Sequence, residues 1–73
     1  MSLLPISEAA VQLVMLIVRP TVKYESYKED QLVQELTRIV GITQSEASEG
    51  IQRLIDSGDI TLEPSGYLIY TGP

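Results

Sequence analysis

Two pairs of acidic residues, Glu29/Asp30 and Glu46/Glu49, are spaced for acid–base chemistry in this 73-residue chain. Two carboxylates in one pocket can act as general acid and general base, provided burial raises the pKa of one of them. Here each pair falls at the exposed start of an expected helix, where a solvated carboxylate partners the positive end of the helix dipole instead. The chain has no histidine and no cysteine. Their lack excludes Cys–His and Ser–His–Asp nucleophilic chemistry, because both need an imidazole base. It also excludes structural zinc on Cys or His ligands and a disulfide framework. No phosphate-binding loop occurs. The residues therefore point to no enzyme, no metal and no cofactor.

Composition fits one small folded domain, residues 1–73, at 44% hydrophobic with five glycines and four prolines. That length is near the lower limit for a core that folds unaided. Ten acidic residues against five basic ones give a net charge of −5, with a pI near 4.4. A free-standing nucleic-acid binder usually carries a basic patch, so this balance counts against non-specific DNA or RNA affinity. The most apolar run, Ala9 to Val18, is shorter than the roughly 20 residues that span a bilayer. The N-terminus lacks the basic leader and cleavage site of a signal peptide. We expect a cytoplasmic protein with no membrane contact.

Apolar spacing lays out the elements. Residues 1–6 read as a lead-in. Ser7 suits an N-cap and Glu8 the positive helix end, opening a first helix from Ser7 to Arg19. On it Glu8, Gln12 and Arg19 make a narrow polar stripe, while Ala10, Leu13, Val14, Leu16, Ile17 and Val18 cover most of the rest. A surface helix needs an apolar stripe of only about 100°. Either the helix is central, packed by helices on one side and a sheet on the other, or the spare flank of Val11, Met15 and Val18 makes a dimer or partner contact. The run Leu13 to Val18 also reads as a buried strand, but the cap and polar stripe favour a helix. Pro20 is expected to end it, and Thr21 to Tyr24 has the character of a short strand.

Ser26 and Glu29 have capping-box spacing, so a second helix should begin at Tyr27 or Lys28 and bury residues 32, 33, 36, 39 and 40 before Gly41 closes it. Thr43 and Glu46 form a second such box. They open a third helix from Gln44 to about Ser57, with Ile42 and Ala47 placed as a hydrophobic staple. Ile60 to Leu62 and Tyr67 to Tyr70 read as the strands of a hairpin turned by Glu63 to Gly66, and 71–73 as a tail. The core should comprise Leu13, Val14 and Ile17, then Leu32, Leu36, Ile39 and Ile42, then Ala47, Ile51, Leu54 and Ile55, with Ile60 and Ile69 from the hairpin.

Counted from Gly41, apolar residues fall one, six, ten and thirteen places on, a glycine seventeen on and Ile60 nineteen on. This arrangement resembles the helix-turn-helix core of winged-helix domains in bacterial and archaeal transcription regulators. The order of elements is similar over residues 7–70, although Thr37 stands where such turns more often have alanine. The resemblance implies an α+β fold: a three-helix winged helix-turn-helix with a small antiparallel β-sheet and a C-terminal hairpin as the wing. It implies that the third helix enters the major groove and that the wing touches the backbone or minor groove. Carried over by position, the recognition surface would be Gln44, Ser45, Ser48, Glu49, Gln52 and Arg53, with Asp56.

Charge opposes that role. Glu49 stands where such domains commonly carry a basic residue, and residues 44–73 hold Glu46, Glu49, Asp56, Asp59 and Glu63 against Arg53 alone. Phosphate affinity comes mainly from Lys and Arg. Arg19, Lys23 and Lys28 form a candidate basic patch, but off the usual DNA face. Tyrosines are enriched at interface hot spots, and a strand edge at Tyr67 to Tyr70 would template strand addition. Ordinary packing is the plainer reading of these tyrosines. The candidate interface is thus Val11, Met15, Val18, Tyr67 and Tyr70. We expect an acidic module acting mainly through protein–protein interaction, by dimerisation or docking, in a transcription- or nucleic-acid-linked regulatory process. The alternative is a sequence-specific DNA-binding transcription regulator using helix 44–57 and wing 60–70. No small-molecule ligand is evident.

Overall fold

The computed structural model describes residues 6–73, so most of the lead-in lies outside it. Helix α1 spans Glu8–Tyr24, strand β1 Tyr27–Lys28 and helix α2 Glu29–Glu35, which runs on into a π turn at Leu36–Val40. Helix α3 spans Gln44–Asp56, and strands β2 (Ile60–Leu62) and β3 (Tyr67–Tyr70) complete an antiparallel sheet of order β1-β3-β2. The fold is α+β, three helices and a three-stranded sheet with a C-terminal hairpin, and is compatible with a winged helix.

Helix α1 is organised by valine. Val11, Val14, Val18 and Val22 follow helical spacing and are buried to 2% exposure or less. Their short side chains let α1 approach α3 closely, and Gly50 completes the contact. A Cβ built on Gly50 would stand 2.5 Å from the Val14 Cγ1 and 3.2 Å from the Val11 carbonyl oxygen. The glycine is there for want of room. Around this crossing the core gathers Leu32, Leu36 and Ile42, then Ala47, Ile51 and Leu54, with Ile60 and Leu68 from the sheet.

Pro20 lies inside α1 and does not end it. A proline in a helix interior costs about 3 kcal/mol. Burying Val22 one residue into the next turn returns about 1.5–3 kcal/mol. The hydrogen bond lost is the one to the Leu16 carbonyl, on the face turned to solvent, and the Thr21 hydroxyl donates to the Ile17 carbonyl at 2.7 Å. Thr21 to Tyr24 is consequently helical, and the first strand is displaced to Tyr27–Lys28. There it pairs in register with β3, Tyr27 opposite Leu68 and Lys28 opposite Tyr67. Extended pairing at 27–28 prevents the Ser26 capping box. Instead the Glu29 N–H at the start of α2 donates to the Gly66 carbonyl at 3.0 Å, so the hairpin turn satisfies a helix end that no side chain caps.

The other end of that helix widens. In a π turn each bond spans one more residue than in an α-helix, and here the Thr37 hydroxyl bonds back to the Gln34 carbonyl at 2.8 Å. The extra residue shifts the side chains that follow. Ile39, expected in the core, is 66% exposed, and Val40 is 40% exposed. Gly41 then takes the left-handed conformation, φ 80°, as expected of a residue after a helix end. The remaining corrections to the expected core are Leu13, which is exposed, and Ile17, Ile55 and Ile69, which are half-buried. Val11, Val18, Val22 and Leu68 take their places, and Val33 is buried as expected of the second helix.

The third helix forms as expected, with both halves of the Thr43/Glu46 capping box made. In the hairpin turn the Gly66 N–H donates to the Glu63 carbonyl at 2.8 Å, with Pro64 second in the turn and Gly66 at φ 93°. The tail is tied down, since the Thr71 and Gly72 N–H groups both donate to the Asp59 carbonyl.

Two predictions follow from the packing. Gly50→Ala lowers stability in urea denaturation by about 1–3 kcal/mol through overpacking, although alanine is about 1 kcal/mol the better helix former. An unchanged midpoint would refute the close approach. Leu54→Asp or Leu36→Asp abolishes the cooperative thermal transition, because an unpaired buried charge costs several kcal/mol in a domain whose total is about 5–10 kcal/mol.

Candidate interaction surfaces

On the outer side of α3 the recognition residues carried over by resemblance separate into two groups. Gln44, Ser45 and Ser48 are exposed and line an open cleft of about 430 Å³ with Gln34, Val33 and the carboxylate pair Glu29 and Asp30 from α2. Two carboxylates beside two serines repel a phosphate. Gln52, Glu49 and Arg53 are engaged along the helix itself. The Gln52 amide donates to Asp56 at 2.9 Å and the Arg53 Nε to Glu49 at 3.0 Å. The Arg53 fork also grips Glu8 of α1 with both terminal nitrogens, one of them at 3.0 Å. The single cation of α3 thus faces two carboxylates of its own chain. Their proximity raises the Arg53 pKa further above its ordinary value, and the same fork, with the Gln12 amide, holds Glu8 at about 2 against an ordinary 4.5.

Glu46, one of the carboxylates with acid–base spacing, is buried. Its Oε2 accepts from the Ser7 N–H at 2.8 Å and its Oε1 from the Thr43 N–H at 3.1 Å. One side chain therefore satisfies backbone donors at the starts of two helices, α1 and α3. Bonds from Ser7 and from Thr43 hold its pKa below the usual carboxylate range. A carboxylate so fixed in its ionised form suits a structural staple, not a proton donor.

The candidate basic patch does not assemble. Arg19 pairs with Asp59 at 3.0 Å. Lys23 lies 5.3 Å from the centre of the Tyr70 ring and Lys28 5.9 Å from that of Tyr67. Residues 67 and 70 of a strand point to opposite faces, so the sheet separates the two lysines.

The candidate interface also needs correction. Val11 and Val18 are wholly enclosed by the chain's own core and offer nothing to a partner, and Met15 is half-buried against that core. Tyr70 packs on the core too, its hydroxyl donating to the Pro73 carbonyl at 2.7 Å. Tyr67 remains 40% exposed. Strand β3 is central, with β2 along one side and β1 against Tyr67 and Leu68 on the other, so only Ile69 and Tyr70 lack a strand neighbour, and only on that side.

What sequence reasoning missed is a third face of α1. Glu8 and Arg19 turn sideways to α3 and to Asp59, and Lys23 to Tyr70. The outward side is left to Ala9, Leu13, Leu16, Pro20 and Tyr24, all exposed, with Leu16 at 70% and Tyr24 at 90%. At 100° per residue these five lie within one stripe about 80° wide, close to the width of a helix face that buries itself. The stripe was legible as an apolar excess, but it was assigned to the wrong flank. Beside it, Ile17, Thr21, Ile39 and Val40 line a groove of about 180 Å³ together with Tyr27, Leu32, Leu36 and the carboxylate Glu35.

No protein-family model matches the chain, and neither a curated protein nor a solved structure does. Among the described residues no helix is long and apolar enough to cross a membrane.

The staple and the fork set an acid limit on stability. A carboxyl whose folded pKa lies below its unfolded one contributes stability that is complete above the unfolded value, near 4.5, and lost as pH falls through the folded value, about 2 for Glu8. Thermal midpoints should therefore decline from about pH 4.5 toward pH 2. In the pair of substitutions Glu8→Gln and Glu46→Gln the neutral-pH midpoint should drop and this acid limb flatten. A variant that keeps the parent's slope would show that the carboxyl it lacks does not carry the effect.

Proposed function

We propose that this chain is a small winged-helix module of the bacterial and archaeal regulator type, working mainly by protein–protein contact in a transcription- or nucleic-acid-linked process in the cytoplasm. The observation that carries this reading is the fate of Arg53. It is the sole cation of α3, and Glu8 and Glu49 both hold it. Phosphate contacts release condensed counterions only when a free Lys or Arg replaces them, and a guanidinium already shared by two carboxylates gains little by that exchange. Glu29 and Asp30 beside Gln44, Ser45 and Ser48 add repulsion toward any phosphate that approaches this cleft. The hairpin adds nothing cationic, since residues 60–70 contain no Lys or Arg.

The exposed glutamines favour one other reading, sequence-specific DNA recognition through α3. Gln44 is free to reach an adenine edge, while Gln52 must first release Asp56. Without cationic support such contacts give orientation but little affinity.

Fluorescence anisotropy of a labelled random-sequence duplex separates the two. The protein should give no rise at micromolar concentrations, at low or at physiological salt. A rise that weakens steeply with salt would replace the present reading with the DNA-binding one.

A further inference from the structure

We infer that the outward stripe of α1 is a self-pairing surface, and that its occupant is α1 of a second copy of this chain lying antiparallel across it. The inference rests on the interaction-module reading and names its partner. Leu13, Leu16, Pro20 and Tyr24 run along the stripe with no charged residue among them. For a chain of net charge −5, two copies can meet along this stripe without setting carboxylate against carboxylate.

Interleaving of the stripe and charge on its flank together favour the antiparallel orientation, since Glu8 and Arg19 keep 64% and 46% of their side-chain surface open beside their in-chain partners Arg53 and Asp59. In a two-fold pair each flank meets itself reversed, residue i against j and j against i. One flank of the stripe carries Glu8 and Gln12 in its first half and Arg19 and Lys23 in its second. Reversal about a single midpoint sets Glu8 against Lys23 and Gln12 against Arg19, twice over. The same midpoint places Leu13 of one copy between Leu16 and Pro20 of the other, and Pro20 between Ala9 and Leu13, the interleaving that packed helices require. Parallel helices would instead set this flank against the side of Ala10 and Thr21, which has no charge to offer.

The second flank broadens the contact. Ile39 and Val40, put outside by the π turn, stand across the groove from Ile17. The stripe from Ala9 to Tyr24 is roughly 23 Å long at 1.5 Å per residue. With the shoulder of Ile39 and Val40 it covers on the order of 500 Å² per copy, enough to reach the ~1,000 Å² at which specific association begins. The expected dimer is therefore weak and concentration-dependent.

Sedimentation equilibrium from roughly 1 μM to 1 mM, the range of weak affinities, tests this. The weight-average mass should climb from the 8.1 kDa of one chain toward twice that value. Leu16→Glu and Ile39→Lys, both at exposed positions, should hold it at one chain while circular dichroism stays that of the parent. A parent that remains monomeric throughout, or a dimer that both substitutions leave intact, overturns the inference. A monomer that also fails to bind DNA would do so without disturbing the proposed function. Orientation is read from single cysteines, which are unambiguous in a cysteine-free chain. With a short bis-maleimide, Leu16→Cys should cross-link to itself and Tyr24→Cys should not. Equal cross-linking of the two would overturn the antiparallel arrangement.

Discussion

The contact on which the structure depends is the one between the backbone of α3 at Gly50 and the Val14 side chain of α1. With 2.5 Å between Val14 and the place a Cβ would take, the two helices are as near as their chemistry permits. The rest of the core is arranged around that crossing. A face of valines on α1 is short enough for it, Ala47 and Ile51 on α3 flank it, and Leu68 and Ile60 of the sheet cover it. β-branched residues are modest helix formers, so α1 derives its stability from this burial and not from propensity. Such burial lets α1 continue through Pro20.

Polar groups reinforce the same pair of helices. Glu46 joins the first turn of α3 to the first residue before α1, the Arg53 fork with Glu8 ties them along the side, and Arg19 reaches Asp59 beyond the end of α3. Exposed ion pairs are each worth little. Their effect here is on what remains available, because they use up the polar groups of α1 on its neighbours and the cation of α3 on α1. The helix is left with a dry outer face, and α3 with a surface that is neutral or acidic.

Much of this was legible beforehand where spacing and capping agree. The third helix, its Thr43/Glu46 box, the turn at Gly41 and the hairpin at 60–70 all announce themselves through local chemistry. Three features did not. Pro20 breaks a local rule, and only the tertiary burial of Val22 outweighs it. The π turn changes the period of the pattern itself, so Ile39 and Val40, in step with Leu36 on an α-helix, fall out of step. The sideways turn of Glu8, Arg19 and Lys23 depends on partners 45, 40 and 47 positions away, which no helical wheel contains. Gly50 was a different case. A lone glycine in the middle of an apolar helical run costs stability unless a neighbour needs the space, and that signal lay in plain view.

The π turn has an evolutionary reading. It holds one residue more than an α-helical turn would, and it does so in a segment whose outer side chains, Ile39 and Val40, are exposed. Removing a single residue between Leu36 and Val40 would restore the α-helical register and swing Ile39 inward, while the valine face, Gly50 and the two caps stayed as they are. One codon gained or lost thus adds or erases an apolar shoulder beside α1. In a lineage carrying this domain, an insertion or deletion in this one turn sets how much apolar surface stands beside α1.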